Sequence, residues 1–349
     1  MSGFDIKSMT LPEIENVVRE LGLPKFRAGQ IFNWLQVNGT MSYDEMTNLS
    51  KDLRSKLSEI YPINSCEIEL KLVSKIDGTV KYLFKLSDGN YIESVLMKYK
   101  YGYTLCISSQ VGCKMGCMFC ASTKQGCVRN LTPSEMIGQV HAAQRDMNIR
   151  VSHIVMMGMG EPLDNYDNVV RFLELAGDAH GLNISIRNIS LSTCGIVPKI
   201  YELSKNHYQL TLSISLHAPE NELRSRIMPV NKRYNIDELL KACREYIKVT
   251  SRRISFEYAM IKGLNDTDEC AYKLAELLKG MLCHVNLIPA NEIKESDYKR
   301  STDKTLERFC SILSSNGINV TVRRSLGSDI NASCGQLRSK HQHSDKEGE

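Results

Sequence analysis

No long hydrophobic run occurs in the 349 residues, and no stretch approaches the ~20 consecutive apolar residues that a membrane-spanning helix needs. The opening MSGFDIKSMT lacks the basic-then-apolar order of a secretory signal, so the expected compartment is the cytosol, with no membrane partner. Charge of one sign is scarce as well. Lys and Arg number 44 against 40 Asp and Glu, a net +4 that by itself selects no partner. The basic doublets Lys98/Lys100, Arg224/Arg226, Lys232/Arg233, Arg252/Arg253 and Arg323/Arg324 make a phosphate-binding surface only if they converge on one face; singly they read as solvated. Hydrophobic residues at 42% and charged residues at 24% match ordinary globular usage, which excludes whole-chain disorder. The length is more than twice a typical domain of ~150 residues and predicts one large domain with an accessory unit. Cysteine, by contrast, is plentiful, at 12 residues. In a reducing cytosol, a cluster among them points to metal or redox chemistry ahead of structural disulfides.

Up to about residue 62 the periodicity is helical. Thr10 with Glu13 forms a capping box, Ile14, Val17, Val18 and Leu21 make one apolar stripe, and Gly22 ends it. Further stripes run through Phe26, Ile31, Trp34 and Leu35, and through Leu49, Leu53, Leu57 and Ile60. Lys25, Arg27, Lys51, Arg54 and Lys56 on the polar faces suit docking to RNA, and solvation explains them equally well. From about residue 66 the runs IELKLVSK, TVKYLFKL and YIESVLMKY alternate polar with apolar, separated by the hairpin signals Asp77-Gly78 and Asp88-Gly89-Asn90. Beyond residue 100, short apolar runs (TLCISS, HIVMMG, RNISLST, LTLSISL, RISFEYAMI, HVNLIPAN, INVTVRR) alternate with helical segments. That repeat predicts parallel strands with helical crossovers in about six units, closing fully or partly into a barrel. The expected organisation is a helical accessory domain over 1–65, a β-hairpin linker over 66–98, a core barrel over 99–329 and a C-terminal segment over 330–349.

The segment GCKMGCMFCAS places Cys113, Cys117 and Cys120 within eight residues, with Gly112 and Gly116 freeing the backbone to fold around something. No fourth cysteine follows closely. Structural zinc takes four closed ligands, commonly in two pairs, and a compact triplet fits it poorly. A cubane iron-sulfur cluster on three cysteines keeps one iron open for a cofactor. Zinc stays the competing reading, and with it a zinc-stabilised RNA-binding protein without catalysis. Downstream, HIVMMGMGEP ends a strand on Gly158, Gly160 and Glu161.

The spacing CxxxCxxC after a strand, with an aromatic before the last cysteine, resembles the radical S-adenosylmethionine (radical SAM) superfamily. Together CISSQVGCKMGCMFCAS, MMGMGEPLDNYDNV, ISLSTCGIVP, SLHAP, RIMPVNKRYNI, HVNLIPAN and DINASCGQL resemble, over nearly the whole chain, the RlmN family of dual-specificity 23S rRNA and tRNA adenine C2 methyltransferases. The sister Cfr-type C8 methyltransferases share most of this framework. The resemblance implies an α/β fold, a partial (β/α)6 radical SAM barrel with a small N-terminal helical domain. It implies a 4Fe-4S cluster on Cys113, Cys117 and Cys120, S-adenosylmethionine as cofactor, 23S rRNA and tRNA as substrates, and a one-electron reductant of flavodoxin or ferredoxin type.

The resemblance also implies the reaction. C2 of adenine lies between two ring nitrogens and is too electron-poor to attack a methyl sulfonium. One S-adenosylmethionine therefore methylates a protein cysteine, and a second yields the radical that removes hydrogen from that methyl group. The carbon radical adds to C2 of an adenosine, in the peptidyl-transferase loop of 23S rRNA or 3' to the anticodon in tRNA. A proton then leaves, and a second cysteine releases product as a disulfide forms. The target base has to leave its stack to be reached. By match, Cys334 carries the methyl group, Cys106 is the resolving thiol and Glu93 accepts the proton; Gly160, Glu161, Ser192, Ser215, Leu216, His217 and Asn291 contact the cofactor. Read alone, Cys106 passes as a buried strand residue, Glu93 as a solvent-facing one and His217 as a structural histidine. Asn331 and Ser333 stand where the family often has Asp and Ala, leaving Cys334 and the following Gly-Gln-Leu intact. The remaining cysteines, Cys66, Cys127, Cys194, Cys243, Cys270, Cys283 and Cys310, read as packing.

Overall fold

The computed structural model describes residues 5–291, 298–333 and 335–337. The N-terminal unit has helices α1 (Leu11–Glu20), α2 (Phe26–Gln36) and α3 (Lys51–Ile60). The capping box forms as the sequence requires, with the Thr10 N–H donating to the Glu13 carboxylate at 2.7 Å, and Gly22 at φ 69° ends α1. Each stripe buries its centre, while Phe26 and Ile60 at the stripe ends stay exposed. The polar faces are partly engaged within the unit. Lys25 pairs with Glu15, and Arg27 and Arg54 donate to the carbonyls of Asn48 and Asp44.

Strands β1 (Glu67–Val73), β2 (Val80–Lys85), β3 (Tyr91–Tyr99) and β4 (Gly102–Cys106) run antiparallel in sequence. A separate hairpin of β5 (Gln110–Gly112) and β6 (Cys127–Asn130) brackets the cysteine loop. From β4 the main sheet continues in parallel through β7 (Val151–Met156), β8 (Ile189–Thr193), β9 (Thr211–Ser215), β10 (Ile254–Met260), β11 (Cys283–Pro289) and β12 (Val320–Val322). The helices between these strands are α4 (Pro133–Met147), α5 (Tyr166–Gly177), α6 (Val197–Lys205), α7 (Asn221–Ile227) with α8 (Ile236–Thr250), α9 (Asp268–Leu278) and α10 (Asp303–Ser315). Among the described residues the sheet runs β1-β2-β3-β4-β7-β8-β9-β10-β11-β12 and stays open between its two edges. The chain therefore folds as the expected partial (β/α)6 barrel, extended on one side by the antiparallel hairpin strands. Burial alternates along its strands: Ile189 and Leu191 of β8 join the core, and Ser192 stays half-exposed. No helix among the described residues is long and apolar enough to cross a membrane.

One continuous core spans helical unit and barrel. Their seam runs along α4, whose His141 is buried and donates from Nε2 to the Gln36 carbonyl at 3.1 Å. Burial, with Lys7 close by, pushes His141 down to about 3. The unfolded chain takes up that proton near pH 6.5, so this contribution to stability is complete above pH ~6.5 and drains away on acidification toward 3. Stability is expected to fall between pH 7 and pH 5, by up to ~1.4 kcal/mol per pH unit from this residue, and the thermal midpoint with it. The fall should be shallower in His141→Gln; an unchanged slope in that variant removes His141 as the cause.

Candidate active site

Loops at the C-terminal ends of the parallel strands enclose a cavity of about 160 Å³. Its floor is the cysteine loop. β5 ends on Gly112 at φ 77°, where an added Cβ would run into the Gly126 carbonyl oxygen; with glycine there, the Cys113 N–H reaches that carbonyl at 2.8 Å. Farther along, the Met118 N–H donates to the Ile227 carbonyl at 3.0 Å and the Cys120 N–H to the Cys117 carbonyl at 3.1 Å. Gly112→Ala carries at least ~1–3 kcal/mol of backbone strain plus the clash. Iron retained per chain after anaerobic reconstitution is expected to fall to a minor fraction of wild type, and wild-type loading would show that the loop tolerates the methyl group.

Cys113, Cys117 and Cys120 all line the cavity. Burial pushes the Cys113 thiol up to about 12 and Cys117 well above its ordinary value, and in both cases the neighbouring loop thiols push the same way. Thiols that resist ionising together become thiolates only against a strong positive charge, which an iron core supplies. A cubane spreads its thiolates over separate irons, so three thiols sharing a cavity suit it.

Beside the loop, the chain leaving β7 turns at Gly158 and Gly160. Gly160 has φ 101°, and a Cβ there would come within 2.6 Å of the Gln110 side chain. The turn delivers Glu161, whose buried carboxylate accepts the Cys194 N–H at 2.7 Å and the Leu163 N–H at 3.1 Å. Burial raises its pKa and these donors oppose the rise. A buried carboxylate on a cavity wall is a seat for an ammonium group.

Ser192, Ser215 and Asn291 line the cavity at strand ends. His217 also lines it, in a left-handed conformation at φ 58°. Its Nδ1 accepts the Ala259 N–H at 2.9 Å, which leaves the proton on Nε2, and burial with Arg224 nearby pushes it down to about 3. Leu216 differs from the expectation: its side chain is fully buried in the core, outside the cavity lining, and its carbonyl accepts from Arg224. Glu93 is not solvent-facing. It lies buried on β3 with the Lys81 ammonium at 2.9 Å, and Lys81 also donates to the Asn331 carbonyl at 3.1 Å. Cys106 is buried at the end of β4, registered with Val95 of β3 and Val155 of β7.

Cys334 lies outside the described residues, but its neighbours are placed. The Ser333 hydroxyl donates to the Leu326 carbonyl at 3.1 Å. The Gly335 carbonyl accepts the Ala121 N–H at 2.8 Å, and Gly335 lines the cavity. The Ser122 hydroxyl donates to the Leu337 carbonyl at 2.9 Å. The C-terminal segment is thus fastened to the residues directly after Cys120.

Sequence reasoning missed several residues here. Arg224, read as half of a basic surface doublet, is fully buried. Its guanidinium donates to the carbonyls of Cys194, Ser215 and Leu216 at 2.7, 3.0 and 3.1 Å and to Asn231 Oδ1 at 3.0 Å. Cys194, read as packing, lines the cavity. Glu257 also lines it from β10, and a charged residue inside the apolar run RISFEYAMI was the available signal.

Comparison with known proteins agrees with this geometry. The radical SAM superfamily profile matches residues 107–276, and the ribosomal RNA large subunit methyltransferase N-terminal domain profile matches residues 4–63. A probable dual-specificity RNA methyltransferase RlmN from Lachnospira eligens is 55% identical over 97% of this chain and 96% of its own length. One of the same description from Alkaliphilus oremlandii is 54% identical over 98% of this chain and 99% of its own. The crystal structure of a radical SAM methyltransferase from Sphaerobacter thermophilus superposes with TM-score 0.93 at 44% identity, covering 97% of this chain and 100% of that one. Sharing more than half its residues with such relatives over almost its full length, the chain belongs to the RlmN family of radical SAM methyltransferases.

Proposed function

We propose that the protein methylates C2 of an adenosine in the peptidyl-transferase loop of 23S rRNA and of the adenosine 3' to the anticodon in tRNA, in the cytoplasm. The reaction consumes two S-adenosylmethionine per turnover and passes through S-methylcysteine at Cys334 and a transient disulfide with Cys106. One observation carries the reading: the cysteine triplet, the buried Glu161 carboxylate and Gly335, the residue after Cys334, line a single cavity. The RlmN relatives support C2 over C8.

Cys113, Cys117 and Cys120 would hold a 4Fe-4S cluster, which the family implies together with S-adenosylmethionine. When bound, the cluster supplies the electron that cleaves the sulfonium, drawn from a flavodoxin- or ferredoxin-type carrier. Glu161 and the turn at Gly160 seat the methionine ammonium group. Ser192, Ser215, Asn291 and the Nε2–H of His217 offer polar contacts to the rest of the cofactor, and Leu216 contributes backbone only. The Cys334 thiolate first takes a methyl group by displacement. Glu93, its carboxylate held by Lys81, accepts the C2 proton. The Cys106 thiolate then attacks the Cys334 sulfur; the S–S bond forms as the C–S bond breaks, the electron pair passes to the methylene carbon, which takes up a proton as the product methyl group, and the unpaired electron held by the ring since radical addition returns to the one-electron carrier. In this division of labour the core barrel 99–329 performs the chemistry, segment 330–349 presents the methyl group, the linker 66–98 supplies Glu93, and the helical domain 1–65 extends the RNA-facing surface.

The decisive measurement is chromatography and mass spectrometry of nucleosides from rRNA and tRNA of cells with and without the protein. 2-Methyladenosine should disappear with the protein and return with the wild-type gene but not with Cys334→Ala. Appearance of 8-methyladenosine instead moves the methyl group to the other carbon, and no change in either isomer rejects the reading. Anaerobically reconstituted protein should be brown, with broad absorbance near about 400 nm; colourless protein holding stoichiometric zinc would reject the cluster.

A further inference from the structure

A second, smaller cavity of about 30 Å³ adjoins the active cavity, and Ile288, Asn291 and Arg323 line both. Its remaining wall includes Tyr99 at the end of β3, Arg324 and Ser333, the residue before Cys334. The described lining holds two arginines and no carboxylate. Tyr99 carries the wall outward. Its ring stacks on Tyr101 at the tip of the β3–β4 hairpin, centroids 5.0 Å apart and planes 5° from parallel. Tyr101 meets His153 edge-on at 4.7 Å, yet is 61% exposed. Lys98 and Lys100, both exposed, flank the Tyr99 position, and the Lys98 ammonium stands 5.8 Å from the Tyr103 ring. Arg323 and Arg324 thus wall the cavity that Tyr99 also lines, and Lys98 and Lys100 are the exposed chain neighbours of Tyr99. A two-residue hairpin tip has no structural need for a large exposed ring, and aromatics alternating with cations form the surface on which single-stranded nucleic acid stacks and is neutralised.

We infer that the β3–β4 hairpin tip is a stacking platform for the RNA strand flanking the target adenosine: a neighbouring base lies on the open face of Tyr101, and the phosphates run past Lys100 to Arg324 at the mouth of the smaller cavity. The inference rests on the RNA-methylating reading and adds where the strand enters. Three features favour RNA as the occupant: continuity with the active cavity, the Arg324 cation in a described lining that holds no carboxylate (Arg323 faces Glu257 of the adjoining cavity at 4.0 Å), and an exposed π-face that every base can use without sequence preference.

The test uses cluster-loaded full-length protein and a fluorescently labelled stem-loop RNA containing the target adenosine, with affinity read by anisotropy across a salt series. Tyr101→Ala is expected to weaken binding by about 5- to 160-fold, the range found for losing one base–aromatic stack. Tyr101→Phe and Tyr101→Trp should restore it, because the ring and not the hydroxyl carries the contact. Lys100→Ala and Arg324→Ala should each lower the slope of log affinity against log salt by about 0.7, the signature of one lost single-strand phosphate contact. Thermal midpoint and iron content report on folding. Wild-type affinity in Tyr101→Ala, with the salt slope unmoved in Lys100→Ala and Arg324→Ala, overturns the platform while the function stands, provided the wild type methylates RNA. A wild type that neither binds nor methylates RNA removes both. Tyr101→Ala that keeps RNA affinity but loses reduction by an acidic electron-carrier protein would assign the surface to that partner and overturn the inference.

Discussion

Cys106→Ala is expected to emerge from cells with RNA covalently attached. In the proposed reaction a methylene carbon joins the Cys334 sulfur to adenine C2 as a thioether, and a thioether C–S bond does not hydrolyse at neutral pH. Release needs a thiolate that attacks the sulfur in line with the bond to be broken. Cys106 is 6% exposed at the end of β4, enclosed between β3 and β7, so a soluble thiol has poor access to its place. Multiple-turnover product formation should therefore fall by about 10³-fold or more, the scale of deleting a nucleophile. A slow-migrating, ribonuclease-sensitive band on a denaturing gel should accumulate. Cys334→Ala should give neither product nor band, because the tether never forms. Normal turnover by Cys106→Ala with no retained RNA would take the resolving step away from this residue.

Arg224→Met is expected to be the most damaging substitution among residues that touch no substrate. The guanidinium joins the chain exits of β8 and β9 to the loop after α7, through the carbonyls of Cys194, Ser215 and Leu216 and the amide of Asn231. Burial pulls it down to about 10, so it remains a cation at neutral pH. Methionine fills a similar volume but strands those buried acceptors, at ~1–3 kcal/mol each before relaxation. A net loss of about 3–5 kcal/mol, the range for breaking a buried charged cluster, corresponds to a thermal midpoint lower by roughly 4–7 °C. Affinity for S-adenosylmethionine should fall at least about tenfold as Ser215 and the Cys194 N–H that supports Glu161 lose their positions. Arg224→Lys keeps the charge but not the planar fork, so it should recover only part of either loss. A midpoint within about 2 °C of wild type in Arg224→Met would show that other contacts hold these strand exits.

Elements with local signals were read correctly from the chain. The capping box of α1, the alternation of β1 to β3 and the repeat that became β4 and β7 to β12 all rest on hydrogen bonds and side-chain spacing within a few residues. The hairpin of β5 and β6 was missed because strands of three and four residues are too short for alternation to register. Helix α7, at seven residues, was missed for the same reason. Glu93 was assigned by its match to the family, and its own strand, read alone, says nothing about Lys81 on the next one. Burial of the Leu216 side chain in the core, which leaves only its backbone for the cofactor, was not legible in ISLHAP.

By itself the sequence determined the fold class and singled out the cysteine triplet, because helix and strand periodicity and cysteine spacing are properties of short segments. Only the tertiary structure decided which distant residues share the cavity: Ala121 holds Gly335, Lys81 holds Asn331 from 250 positions away, and a supposed surface arginine lies at the centre of a carbonyl cluster. Those pairings follow from how the open barrel curls and where its last segment returns. That closure is set by the packing of the whole core, and no local stretch of chain encodes it.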